Sequence, residues 1–153
     1  MSLEPLGWIA ALTLSASFVV YEGARKAELD ERTPLPPKQL YKRIGSSTER
    51  LQIVDVRPDP VENYEDDHVP GAIPFPGCDI AAVDPAVRPF LVPTLPTVVV
   101  SADGDEKAFA TCAAFFTNAR NLQGGFDGWQ EAGLPTVGDV YVPPKPSAGG
   151  GCL

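Results

Sequence analysis

At 153 residues, with 12 basic against 20 acidic side chains and a net charge of −8, the chain is long enough for one domain with its own core and carries the wrong sign for a partner held through phosphates. Nucleic acid is therefore not an expected partner. Three cysteines, Cys78, Cys112 and Cys152, are odd in number and widely spaced, which outlines no disulfide framework or zinc site and makes a reducing compartment the simpler reading.

The first segment differs from the rest. From Leu6 to Tyr21 no residue is charged, and Leu6, Trp8, Ile9, Leu12, Leu14, Phe18, Val19, Val20 and Tyr21 form an apolar helix pattern with aromatic residues near both ends. A membrane span needs about 20 apolar residues, with a lower limit near 17, so this run is marginal. Two readings fit: a membrane anchor, or an apolar helix packed on the domain or on a partner subunit. A cleaved signal lacks a positive n-region and a good cleavage site. If the segment spans a bilayer, Arg25 and Lys26 after it place the domain on the cytoplasmic side. Residues 1–26 are thus read as the helix, 27–35 as a charged and proline-rich linker, 36–141 as the domain, and 142–153 as a flexible Pro/Gly tail.

Within the domain the elements follow in short succession. Residues 37–44 predict an amphipathic helix with Pro in its first turn. Residues 51–56 predict a buried strand ending at Asp55, and 71–75 a short strand, with helical turns near 60–64 and 79–83. "TVVVS" at 97–101 is the most apolar strand. Phe109, Cys112, Ala113 and Phe116 recur at helical spacing over 107–118. A strand running into a turn at 120–125 and a last helix at 126–132 complete the chain. This alternation predicts an α/β domain, a parallel sheet covered by helices on both faces.

Several short patterns stand in order along that region: Asp55-Val56-Arg57 at a strand end, His68-Val69-Pro70-Gly71-Ala72, then Gly124-Gly125, Trp129, Gly133 and Pro135. Together they resemble the rhodanese-like domain family over roughly residues 35–140. The physics of these residues is mostly structural. Asp55 and Arg57 are placed to bond neighbouring turns. His68 matches a family position that supports the fold rather than one that transfers protons. Gly71, Gly124 and Gly125 suit turns, and Trp129 suits the core beside the last helix.

The resemblance also implies where a reactive centre belongs. In active members a Cys ends the central strand, and a six-residue loop aims backbone N–H groups and a helix N-terminus at the thiolate or persulfide; the loop often ends in Arg. The matching loop here is Ser101-Ala102-Asp103-Gly104-Asp105-Glu106. A serine hydroxyl cannot form a persulfide, and three carboxylates repel an anionic sulfur donor. Helix capping by Asp103 or Asp105, with Glu106 in the first turn, accounts for those acids without any ligand; the functional alternative is a docking point for a basic partner or a cation, although no metal-loop spacing supports the latter.

The expectation is a catalytically inactive rhodanese-like module: a membrane-tethered binding, regulatory or accessory subunit with a membrane-associated protein partner, no cofactor and no metal. The enzyme alternative is a sulfurtransferase or persulfide carrier using Cys152 on the tail or Cys78 near the loop mouth. A hydrolase on Ser101 lacks a recognisable base. Cys112 falls on the apolar face of its helix, where a buried structural thiol is the default.

Overall fold

Two runs of β-branched residues make the centre of the sheet. In the computed structural model, which describes residues 34–46 and 50–142, β1 (Gln52–Asp55) and β3 (Thr97–Val100) are buried at every position and pair in parallel, with Ile53 opposite Val98 and Asp55 opposite Val100. The short β2 (Ile73–Pro74) flanks β1, and β4 (Ala119–Asn121) flanks β3, giving the order β2-β1-β3-β4, all parallel. The strand predicted over 71–75 shrinks to two residues, because Pro74 has no N–H for a ladder and the chain turns into a 3-10 turn at Pro76–Cys78. Further 3-10 turns at Ile80–Ala82 and Arg88–Phe90 carry the chain from β2 to β3.

Side-chain alternation sends β3 to both faces. Val98 and Val100 join Leu40, Ile53, Phe126 and Trp129 in one core cluster, under helices α1 (Pro37–Ile44) and α3 (Gly125–Glu131). Val99 joins Val54, Val56, Phe75, Cys112 and Phe116 in the other, under α2 (Glu106–Ala113). The parallel sheet is thus covered on both faces, as the alternation of elements predicts. The helix expected over 107–118 ends at Ala113. Phe115 and Phe116 lie beyond it, where they pack on each other and on Phe75.

One boundary moves. Leu35, assigned to the linker for its prolines, is fully buried and forms a parallel bridge with Leu122. Its N–H donates to Asn121 O at 2.7 Å, and its own carbonyl accepts from Gln123 N–H at 3.0 Å, so the domain begins at the edge of β4. At the other end Tyr141 still packs against Phe90. The expected apolar helix over 6–21 lies outside the described residues, as does the tail beyond Val142; among the described residues no helix is long and apolar enough to cross a membrane.

The larger correction concerns the cysteines. Spacing alone gives no pairing, yet Cys78 and Cys112, 34 residues apart, form a disulfide with their Cα atoms 5.3 Å apart. The pairing is tertiary. The turn after β2 and helix α2 lie over the same face of the sheet, and no local pattern signals that they meet. Closing a loop of this length stabilises a fold by about 3–4 kcal/mol.

The family-motif residues tie the turns together. Asp55 and Arg57 are a buried ion pair at 2.7 Å. Arg57 also donates to Asp67 O at 2.6 Å, and its guanidinium lies 3.9 Å from the centroid of the Phe126 ring. His68 Nδ1–H donates to Tyr64 O at 2.7 Å, the two rings stack 3.8 Å apart, and Nε2 faces Asp139 at 3.7 Å. The His68 backbone also forms a two-bond bridge to Val137. Trp129 is fully buried and donates from Nε1 to Pro135 O at 3.0 Å.

Two predictions follow from these contacts. Arg57→Met leaves the Asp55 carboxylate buried without its partner, and urea unfolding should show a loss of about 3 kcal/mol or more. Burial raises the Tyr64 phenol above its ordinary range, with Asp55 and Asp139 adding to the effect; its O–H donates to Ala72 O at 2.7 Å. The folded state holds that proton more tightly than the unfolded chain. The stability it contributes is full below about pH 10, the ordinary phenol value, and is lost as pH rises above it. Thermal melts of the protein and Tyr64→Phe from pH 9 to 11 should show a steeper decline for the unsubstituted chain.

Candidate functional site

The C-terminal ends of β1, β3 and β4 open on one edge of the sheet, where an open α/β fold places its reactive groups. β3 ends at Val100, and the next residue, Ser101, is 4 % exposed. The chain then turns over Gly104, at φ +80°, before α2 begins at Glu106. Ser101 Oγ accepts the Gly104 N–H at 3.0 Å, so at least one backbone amide points inward at the residue that ends the central strand.

The loop is clamped from behind by α3. Ser101 O accepts from Phe126 N–H at 2.8 Å, and Ala102 O from Asp127 N–H at 2.9 Å. This approach is so close that side chains are excluded on both sides. A Cβ on Gly104 would come within 2.8 Å of Gly124 N and 2.9 Å of Gly125 N, and one on Gly125 would collide with Gly104 N and Ser101 O. Gly124 and Gly125 both adopt positive φ, +70° and +56°. The glycine pair is therefore required twice, by backbone conformation and by contact. Gly71, also at positive φ, has open space around it and meets only the first requirement.

The carboxylates act as caps. Asp105 is the N-cap of α2: its Oδ2 accepts from Ala108 N–H at 2.9 Å. Asp103 Oδ1 accepts from Asp105 N–H at 3.0 Å, which tightens the turn. Glu106 lies in the first helical turn, where the positive end of the helix dipole favours it. All three are exposed, so the rim of the loop is negative. Among the described residues no cluster of His, Cys, Asp and Glu could hold a metal ion.

The structure does not bring the other singled-out groups to Ser101. His68 is buried with both ring nitrogens directed at Tyr64 O and Asp139, so it offers Ser101 no base. Cys78 has no free thiol, because it is joined to Cys112, which removes it as a sulfur carrier. Cys152 lies outside the described residues. One residue that the sequence reading missed does belong to the site. Asn121, at the end of β4 and 6 % exposed, donates from Nδ2 to Gly104 O at 2.8 Å and pins the loop from the side; its Oδ1 is buried with no hydrogen-bond partner. The available signal was a polar side chain at the C-terminal end of a strand beside the central one. A separate cleft of about 200 Å³ lies beside β2, with Tyr64, Glu65, Pro74, Asp84, Val87 and Tyr141 in its walls.

Comparison with known proteins agrees with this architecture. The family model described as "Rhodanese-like domain" matches residues 36–132. No curated protein matches the chain. Among solved structures, the BH2092 protein from Bacillus halodurans is 22% identical with a TM-score of 0.59, over 77% of this chain and 85% of its own. The Alr3790 protein from Anabaena sp. is 28% identical with a TM-score of 0.54, over 69% and 81%. A thiosulfate sulfurtransferase from Pseudomonas aeruginosa is 21% identical with a TM-score of 0.55, over 71% of this chain but only 20% of that one. A loop clamped between the central strand and a glycine-led helix, a parallel four-stranded sheet and a family match over residues 36–132 lead to one assignment: this chain belongs to the rhodanese-like domain family.

Proposed function

We propose that this protein is a catalytically silent rhodanese-like module that works by binding. It serves as a regulatory or accessory subunit, tethered to a membrane through residues 6–21, and it contacts a protein partner with the acidic rim of the degenerate loop. The observation that carries this reading is Ser101. It occupies the strand end where a sulfur-transferring member needs a thiolate, its Oγ already accepts the Gly104 N–H, and no base lies against it. The exposed Asp103, Asp105 and Glu106 work in the same direction, since they repel thiosulfate and suit a basic partner surface.

The cradle itself is intact. Gly104 N–H, the start of α2 and the clamp from α3 would receive a thiolate as they receive the hydroxyl. What is missing is the nucleophile, together with a rim of the right charge.

Thiosulfate:cyanide sulfurtransferase assays test this reading. The unsubstituted protein should be at background. Ser101→Cys alone should stay near background because the rim still repels the donor, whereas Ser101→Cys combined with Asp103→Arg and Glu106→Arg should exceed it by about tenfold or more. Activity in the unsubstituted protein that vanishes with Cys152→Ser would overturn the proposal and make the tail a sulfur carrier. The glycine clamp has its own prediction. Gly125→Ala should lower stability by about 2 kcal/mol or more, and it should abolish any activity gained by the triple variant, because the loop can no longer close on α3.

A further inference from the structure

We infer that Cys78–Cys112 is a permanent structural disulfide that anchors the candidate-site helix, and that the domain therefore works in an oxidising compartment. This holds whether or not the module is catalytic.

Helix α2 departs directly from the Ser101 loop, yet among its eight residues only Cys112 is buried. Phe109 is half-buried, and the remaining positions are partly or fully exposed. A helix this short, with so little apolar surface under it, is marginal without tertiary attachment. Phe109 packs against the core from its flank, and the one fully buried side chain is the one covalently bonded to the turn after β2. In a reduced protein the same position would be a lone thiol contributing a small apolar contact, and α2 would lose its principal tether.

The other end of the bond is built to match. Gly77 and Cys78 are successive left-handed residues, at φ +60° and +58°. A non-glycine residue there is strained and persists where its surroundings hold it. The holding contacts are Gly77 N–H to Val56 O at 3.0 Å, Cys78 N–H to Phe75 O at 3.0 Å and Asp79 N–H to Pro76 O at 3.2 Å. That turn directs Cys78 at α2 with a Cα separation inside the range a disulfide requires.

Burial also makes the bond hard to exchange. Cys78 is half-buried against the core, and Cys112 is 1 % exposed, in a cluster with Phe75 and Phe116. A thiolate that attacks Cys78 Sγ forms a mixed disulfide there and must expel Cys112 as a thiolate into apolar surroundings, where burial disfavours the charge. This is the behaviour of a structural bond and not of a switch. Its formation removes two electrons and two protons from the thiols, which pass to an acceptor disulfide that becomes a dithiol; such acceptors act outside the cytoplasm, where reductants do not reverse the step. The inference points to the side of the membrane opposite to the one that Arg25 and Lys26 would select.

Thiol trapping on the full chain in its own cells tests the inference. Cells are quenched in acid, free thiols are alkylated in denaturant with one mass tag, disulfides are reduced, and the released thiols take a second tag. Cys78 and Cys112 should carry the second tag almost completely. The first tag at both positions, or labelling that shifts with applied oxidant, would overturn the permanent disulfide. Reducing the purified full chain with a phosphine should then lower Tm by roughly 10–20 °C and speed amide exchange across 101–113. An unchanged Tm and exchange pattern would overturn the anchoring role.

Discussion

The arrangement around Arg57 underlies much of this structure. A guanidinium with 7 % of its side chain exposed is costly to bury, and it is tolerated because every face finds a partner: the Asp55 carboxylate, the Asp67 carbonyl and the Phe126 ring. Those partners come from the end of β1, the loop before His68 and the first turn of α3. One side chain thus joins three segments that are remote in sequence. Phe126 then passes the constraint on, since its own N–H holds the Ser101 carbonyl. The geometry of the candidate site is thus linked to a buried charge through the first turn of α3.

The same chain of contacts makes the shape of the site independent of its chemistry. Nothing in the Asp55–Arg57–Phe126–Ser101 path depends on what atom sits at the tip of residue 101. The glycines at 104 and 125 are required by the approach of two backbones, and Asn121 is required by the Gly104 carbonyl. A hydroxyl fits the cradle because it accepts the same amide hydrogen. Stability alone is enough to hold this framework in place, whatever residue 101 does.

Much of this was legible in the sequence because the information is local. The β-branched runs mark β1 and β3, Pro at the first turn marks α1, and the acids before α2 mark its cap, which falls on Asp105 of the two candidates. Ser101 could be placed because the strand, the glycine turn and the helix follow one another without a gap. What stayed hidden depends on contacts between distant segments. The disulfide joins positions 34 apart on elements with no mutual signature. Leu35 looks like linker because its proline neighbours suggest extended chain, and its burial comes from pairing with Leu122, far along the sequence. Asn121 reads as an ordinary polar residue before a turn until its neighbour in the sheet is known.

The bridge at Leu35 has a mechanical consequence. Whatever precedes residue 34, the chain enters the domain as an edge segment parallel to β4, held by two hydrogen bonds to Asn121 and Gln123. Tension applied along the N-terminal segment loads those two bonds in shear before it reaches any helix. They bracket Leu122, one residue from the amide that pins Gly104. A pull at residue 34 is therefore delivered to the wall of the cradle, and the edge of β4 is where such a load and the acidic loop share the same few atoms.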